Sequence, residues 1–253
     1  MMKHIKGLYF LLWIILFIFI LVFFSHYQSI LENSNITIVL LNYKRPHNIK
    51  YSVPILHSYK HVAEIIIING LSKYRVEFPH LQKVTQYKDS DFTNDTIGGA
   101  IRFFAPCNYD YIVFLDDDHL PSEEYIDKGI HMLKKNPTGL FGNSSRTCAE
   151  KYIMRPKKDY NMILTQCMFV HRDTLKTILS KFESYRELLI STRGNGEDIV
   201  FNHIYRKIFK KIPILIKPTS KQMIYLDSKS NSYSGLKNHK STRNKICYDL
   251  THE

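Results

Sequence analysis

Five consecutive apolar or aromatic residues, Tyr111 to Leu115, run straight into three carboxylates, Asp116, Asp117 and Asp118. The apolar run reads as a strand buried on both faces. The acids repel one another, and no Lys or Arg follows them before Lys128. Such a cluster raises the pKa of at least one member unless a cation is supplied. Oxygen ligands of this kind suit Mg²⁺ or Mn²⁺, and in an open α/β sheet ligands sit at the carboxyl ends of strands. The competing reading is a solvated acidic turn that caps the next helix. Pro121-Ser122-Glu123-Glu124 weakens it, because Ser122 caps and the two Glu residues suit the helix dipole unaided.

The elements around this strand set the fold class. Ile36 to Leu41 reads as a buried strand ending at Asn42, and Pro46 opens a helix to about Tyr59 that Pro54 should kink. Glu64 to Ile68 is a second strand ending at Asn69-Gly70, and Lys83 to Tyr87 a short third. Asp95 can cap a helix reaching Phe104. Beyond the acids come strands at Thr138–Gly142, Ile163–Val170 and Ile212–Ile216, and an Asp173-capped helix through Phe182. A glycine loop, Arg193 to Gly196, leads into a helix beginning Glu197-Asp198. This alternation predicts an α/β fold with a Rossmann-like, mostly parallel sheet and flanking helices. The dinucleotide fingerprint GxGxxG is absent, and Gly98-Gly99 falls inside a helix reading.

The chain has 253 residues with 44 % hydrophobic content, enough for one sizeable core and a short extra segment. That segment is Leu8 to Phe24, an uninterrupted apolar run at the short end for a membrane span. Lys3, His4 and Lys6 precede it, which favours a cytoplasmic N-terminus, and no small-residue cleavage site follows. The expectation is a type II single-pass membrane protein: cytoplasmic tail 1–7, transmembrane signal anchor 8–24, short stem 25–35, and a domain 36–253 on the non-cytosolic side, as in the ER or Golgi lumen. Sequons at Asn35, Asn94 and Asn143 agree with a luminal glycoprotein, weakly in so Asn-rich a chain. Net charge is +12, but the basic residues are scattered and no nucleic-acid motif occurs, so nucleic acid is not the expected partner. The four cysteines, Cys107, Cys148, Cys167 and Cys247, form no CxxC pair, which argues against zinc; their pairing is open.

Glu197-Asp198 is a second acidic centre, although acids at a helix start are also ordinary. With two centres, one can hold a metal on a diphosphate while the other faces a reacting sugar or an acceptor hydroxyl. The basic tail supplies partners: Arg243 for the charge on a departing diphosphate, His239 for the diphosphate or the metal. A loose basic C-terminus is the alternative.

Asn42-Tyr43-Lys44-Arg45-Pro46, Leu115-Asp-Asp-Asp118, Gly196-Glu-Asp198-Ile-Val-Phe-Asn202 and Ser234-Gly235-Leu with His239, Arg243 and Cys247 occur in that order. This ordered set resembles the C-terminal domain of exostosin and exostosin-like glycosyltransferases, family 64, over roughly residues 36–250. The resemblance implies a GT-A fold, a UDP-sugar donor carrying an N-acetylhexosamine or hexose, Mn²⁺ or Mg²⁺, a glycan or glycoprotein acceptor, and transfer with retention. It implies Asp118 as metal ligand and Asp116 and Asp117 on the ribose and diphosphate. Asn42, Arg45 and Asn69 would line the nucleotide pocket, with His239 beside it, and Glu197, Asp198 and Arg243 would serve the transfer. It also implies a cysteine before the acidic pair, bonded to the tail cysteine. Gly196 stands there, which leaves Cys247 without that partner and a looser tail expected. The family's Asn-Arg donor contact falls near Gly99-Ala100, with Arg102 as the candidate replacement. Competing functions are an inverting GT-A transferase of the family 2 type using Asp198 as base, and a non-catalytic glycan-binding relative. An Asp-nucleophile phosphatase fits worse, since its downstream Lys and acidic motif are missing.

Overall fold

The computed structural model describes residues 13–21, 35–70, 75–88, 98–156, 159–227 and 238–253. The chain divides into two compact units, 1–35 and 36–253. In the first, residues 13–21 form a helix with exposed apolar side chains. Among the described residues no helix is long and apolar enough to cross a membrane, so the span expected at 8–24 finds no support. The described helix is shorter than the roughly 20 residues a bilayer requires. Residues 8–12 and 22–24, the tail 1–7 and most of the stem lie outside the described residues, as do Asn94, Asp95 and Ser234-Gly235.

The second unit is an α/β layered structure. Its strands in chain order are β1 (Ile36–Asn42), β2 (Val62–Asn69), β3 (Val84–Lys88), β4 (Tyr111–Asp116), β5 (His119–Pro121), β6 (Phe141–Gly142), β7 (Ser145–Cys148), β8 (Tyr152–Ile153), β9 (Met162–Ile163), β10 (Cys167–His171), β11 (Ile214–Leu215) and β12 (Met223–Tyr225). The helices are α1 (Pro46–Ser58), α2 (Glu123–Lys135), α3 (Arg172–Leu179), α4 (Arg186–Ser191), α5 (Glu197–Phe209) and α6 (His239–Thr251). Seven strands form the main sheet in the order β11-β6-β10-β4-β1-β2-β3. All its pairings are parallel except those of β10, which runs antiparallel to β4 and β6.

The central strands are apolar throughout because both faces are covered. Alternate side chains serve opposite cores. Val39, Ile112 and Phe114 pack on one face with Phe201 and Tyr205 of α5 and Ile246 of α6. Ile38, Leu40, Val113 and Leu115 pack on the other with Val53 and Leu56 of α1 and Tyr125 and Leu133 of α2. Gly129 lets α2 rest on the sheet, since a Cβ there would overlap the Phe169 ring.

Several local expectations change. Helix α1 continues through Pro54; Pro54 and Lys50 are both exposed, so the carbonyl deprived of its bond meets water. The strand expected at 163–170 divides into β9 and β10 around a turn. The cap of α3 is His171, whose Nδ1 accepts from the Asp173 backbone N–H at 3.3 Å, with Asp173 inside the first turn. Gly98–Phe104 is 3-10 helix. The strands expected at 138–142 and 212–216 shrink to β6 and β11, which pair at the sheet edge. Ser122 caps α2 as expected, accepting from the Tyr125 N–H at 3.2 Å. Asn143 is only 9 % exposed, so folding conceals that sequon.

Candidate active site

From β1 the chain builds β2 and β3 to one side, then places β4 on the other. The order reverses between β1 and β4, and such a reversal opens a crevice at the carboxyl ends of the strands. The segment after β1 brings Arg45 to that crevice, and β4 ends in Asp116 there; a cavity of about 260 Å³ is lined by both, together with Asp117, Asp118, Glu197 and Asp198. The two acidic centres read from the sequence therefore share one cavity.

The first centre is balanced from β1. Arg45 reaches Asp117 Oδ1 at 2.5 Å through Nη2 and donates from Nη1 to Asp118 Oδ2 at 2.6 Å. Asp117 is buried and also accepts from the Tyr43 backbone N–H at 3.2 Å. Burial outweighs these partners and pushes its carboxyl up to about 6. Asp118 behaves oppositely. Burial acts to raise it, but His119 Nδ1 and Arg45, each 2.6 Å away, win and hold it at about 2. Asp118 thus keeps its charge more firmly than Asp117, and its side chain remains 16 % exposed. His119 is fixed in turn on the β5–β12 ribbon, its ring edge-on to Tyr225.

The second centre is balanced from the tail. Arg243 Nη2 lies 2.5 Å from both oxygens of Asp198. Asp198 Oδ1 also accepts from the Ile199 N–H at 2.9 Å. The start of α5 is locked by Asn202, whose amide accepts from the Ile163 N–H and donates to the Ile163 and Asp198 carbonyls. Arg243 in turn lies over the Tyr152 ring, 4.5 Å from its centroid. Burial, then the charge of Asp198, push Glu197 up to about 7, against the pull of Arg102 and Arg243.

Within the tail, His239–Thr251 form helix α6. Cys247 of α6 is bonded to Cys148 at the end of β7, a different partner from the one the resemblance implies, since Gly196 stands at that position. Chain spacing hides this pair, which lies 99 residues apart. Asn244 accepts from the Tyr152 N–H, a further tie between α6 and the β7–β8 hairpin. Cys107 and Cys167 are free, and burial pushes the Cys107 thiol up to about 12. His239 opens α6, half-buried on the cavity wall; burial, then Arg243, lower its pKa.

Asn42 and Asn69 sit at the paired carboxyl ends of β1 and β2. Both are buried, Asn42 donates to Asn69 at 2.8 Å, and neither is among the residues lining the cavity. Sequence reasoning overlooked Arg146 and Tyr152, which do line it. No local pattern marks them, because the small β7–β8 hairpin carries them there.

The acids suit a divalent metal in one specific way. Among the described residues no three His, Cys, Asp or Glu side chains converge to hold an ion alone. Mg²⁺-type sites, however, are commonly completed by one or two carboxylates and substrate phosphates. Asp118 offers hard oxygen, and Arg45 Nε, Arg243 Nε and His239 Nδ1 are buried atoms lacking hydrogen-bond partners. A phosphate-bearing ligand would supply partners for them.

No curated protein matches the sequence. The sequence model of the glycosyl transferase family 64 domain matches residues 36–253, which hold the sheet, both acidic centres and the tail helix. The chain therefore belongs to glycosyl transferase family 64.

Proposed function

We propose that this chain is a metal-dependent, GT-A-type, exostosin-like glycosyltransferase. It moves an N-acetylhexosamine or hexose from a UDP-sugar to a glycan or glycoprotein acceptor, with retention. The observation that carries this reading is the meeting of two separately balanced acidic centres in one cavity at the strand-order reversal.

Asp118 would hold Mn²⁺ or Mg²⁺ together with the donor's phosphates, and the ion supplies charge neutralisation for the departing diphosphate. Arg45, now on Asp117 and Asp118, donates to the same phosphates. Asp116 and Asp117 face the ribose and diphosphate. His239 and Arg243 close the cavity beside them. Asp198 is held by Arg243 and the Ile199 N–H, which favours a charge-stabilising role beside the anomeric carbon over that of a mobile base. That geometry supports retention over the inverting reading. The N-terminal apolar run retains its reading as an anchor that places the domain on the luminal side.

The test is a panel of nucleotide sugars offered to the full chain with Mn²⁺ and with chelator. Metal-dependent hydrolysis or transfer from at least one UDP-sugar is expected. Absence of both turnover and donor binding across the panel overturns the reading.

A further inference from the structure

Between the two acidic centres stands a cation that neither centre includes. Arg102 lies on the 3-10 helix Gly98–Phe104 and is 2 % exposed. Its Nη1 donates to Asp116 at 2.6 Å, its Nη2 lies 3.6 Å from Glu197 Oε1, and its Nε donates to the Gly99 carbonyl at 3.0 Å. One planar guanidinium thus joins the last residue of β4 to the first residue of α5. An arginine is suited to this because its donors are fixed in a fork, whereas a lysine is a point charge.

Gly98-Gly99 shapes the route. Gly98 has a φ of +56°, and a Cβ there would lie 2.6 Å from the Arg193 carbonyl oxygen. The 3-10 helix therefore packs directly on the glycine loop that precedes α5. A Cβ at Gly99 would lie 2.8 Å from Glu197 Oε1 and 3.1 Å from Arg102 Nη2. That space is needed for the two side chains to face each other.

We infer that Arg102 is a positioning residue that couples the nucleotide-side acid Asp116 to the transfer-side acid Glu197, and that Gly99 keeps the space between Arg102 and Glu197 open. The inference deepens the proposed transferase and rests on it for its catalytic meaning. The charged groups facing Glu197 are Arg102 from the 3-10 helix, Asp116 from β4, Asp198 from α5 and Arg243 from α6. Removing Arg102 leaves two acids against one remaining cation. Glu197 then holds its proton more tightly and loses its fixed position.

The experiment is an infrared titration of the Glu197 carboxyl in the full chain, with Glu197→Gln as the blank, run on wild type, Arg102→Met and Arg102→Lys. In Arg102→Met the midpoint is expected to rise by about one pH unit or more, a tenfold change in proton affinity. Arg102→Lys is expected to restore most of the midpoint. Transfer by Arg102→Met is expected to fall by about 100-fold in kcat with a smaller change in donor KM, and Lys to recover only part of that rate. An unchanged midpoint in Arg102→Met overturns the inference. If that variant does not fold, Gly99→Ala decides: its methyl presses on the flexible ends of Glu197 and Arg102, and a midpoint equal to wild type overturns the coupling. The titration needs no turnover, so a wild type that transfers no sugar refutes the proposed function while the midpoints still test the coupling.

Discussion

The two acidic centres solve one problem in opposite ways. At the end of β4, Asp117 and Asp118 share Arg45, and Asp118, also held by His119, is part-exposed. At the start of α5, Asp198 is buried and held by an arginine 45 residues away, on a helix pinned by a disulfide. On the proposed function, the first centre would release Arg45 to a metal-bound diphosphate, with His119 still holding Asp118. The second is part of the fold, since a buried charge deprived of its partner is strongly destabilising. On the proposed function, the first centre would bind the donor and the second would orient the reacting groups.

The largest expected effect breaks the rigid side. Arg243→Met leaves Asp198 uncompensated and should destabilise the domain by about 3–5 kcal/mol. Arg45→Met should cost less, because Asp118 keeps His119 and Asp117, already pushed up to about 6, keeps the Tyr43 N–H and can be neutralised by a proton. Paired denaturant melts check this, and equal losses would remove the distinction between the centres.

The two centres also differ in how far the sequence revealed them. The buried strand and its three acids are contiguous, so period, length and charge repulsion located the first centre. The sheet followed from the same local signals, apart from the reversed β10, which a tight turn after β9 permits and periodicity cannot encode. Glu197 and Asp198 are legible as a second acidic centre at a helix start, and Arg243 as a partner for a departing diphosphate; the pairing of Arg243 with Asp198 is not. Arg102 is legible only as a replacement donor contact; its bridge from Asp116 to Glu197, the Cys148–Cys247 bond and the place of Tyr152 depend on chain segments meeting across the fold. The family resemblance alone implies Asn42 and Asn69 as pocket residues. Their amides bond to each other instead, since buried amides need partners.

A second way to sharpen the comparison is Cys247→Ser. Losing a cross-link of this kind typically removes about 2–5 kcal/mol. The loss should be accompanied by weaker hold of Arg243 on Asp198, read as faster amide exchange at the start of α6. Unchanged exchange there would mean that the ion pair alone orders the tail.

The smallest effect is a pH dependence. Burial, then the charge of Asp198, raise the folded pKa of Glu197 above the ordinary glutamate range, up to about 7. The folded state therefore keeps a proton that the unfolded chain releases, and stability falls as pH rises through that window, the loss being complete above it. Glu197→Gln should flatten this decline by an amount on the order of 1–2 kcal/mol. Melts of wild type and variant between pH 4.5 and pH 7.5 check it, and parallel curves would show that Glu197 does not titrate there.

The division of labour is tested most directly by titrating donor nucleotide into Asp118→Asn and Asp198→Asn, with and without Mn²⁺, and measuring turnover on the same preparations. The account predicts that Asp118→Asn loses metal-dependent donor binding. It predicts that Asp198→Asn binds donor within about threefold of wild type while turnover falls by about 100-fold or more. Equal loss of donor binding in both variants would contradict it.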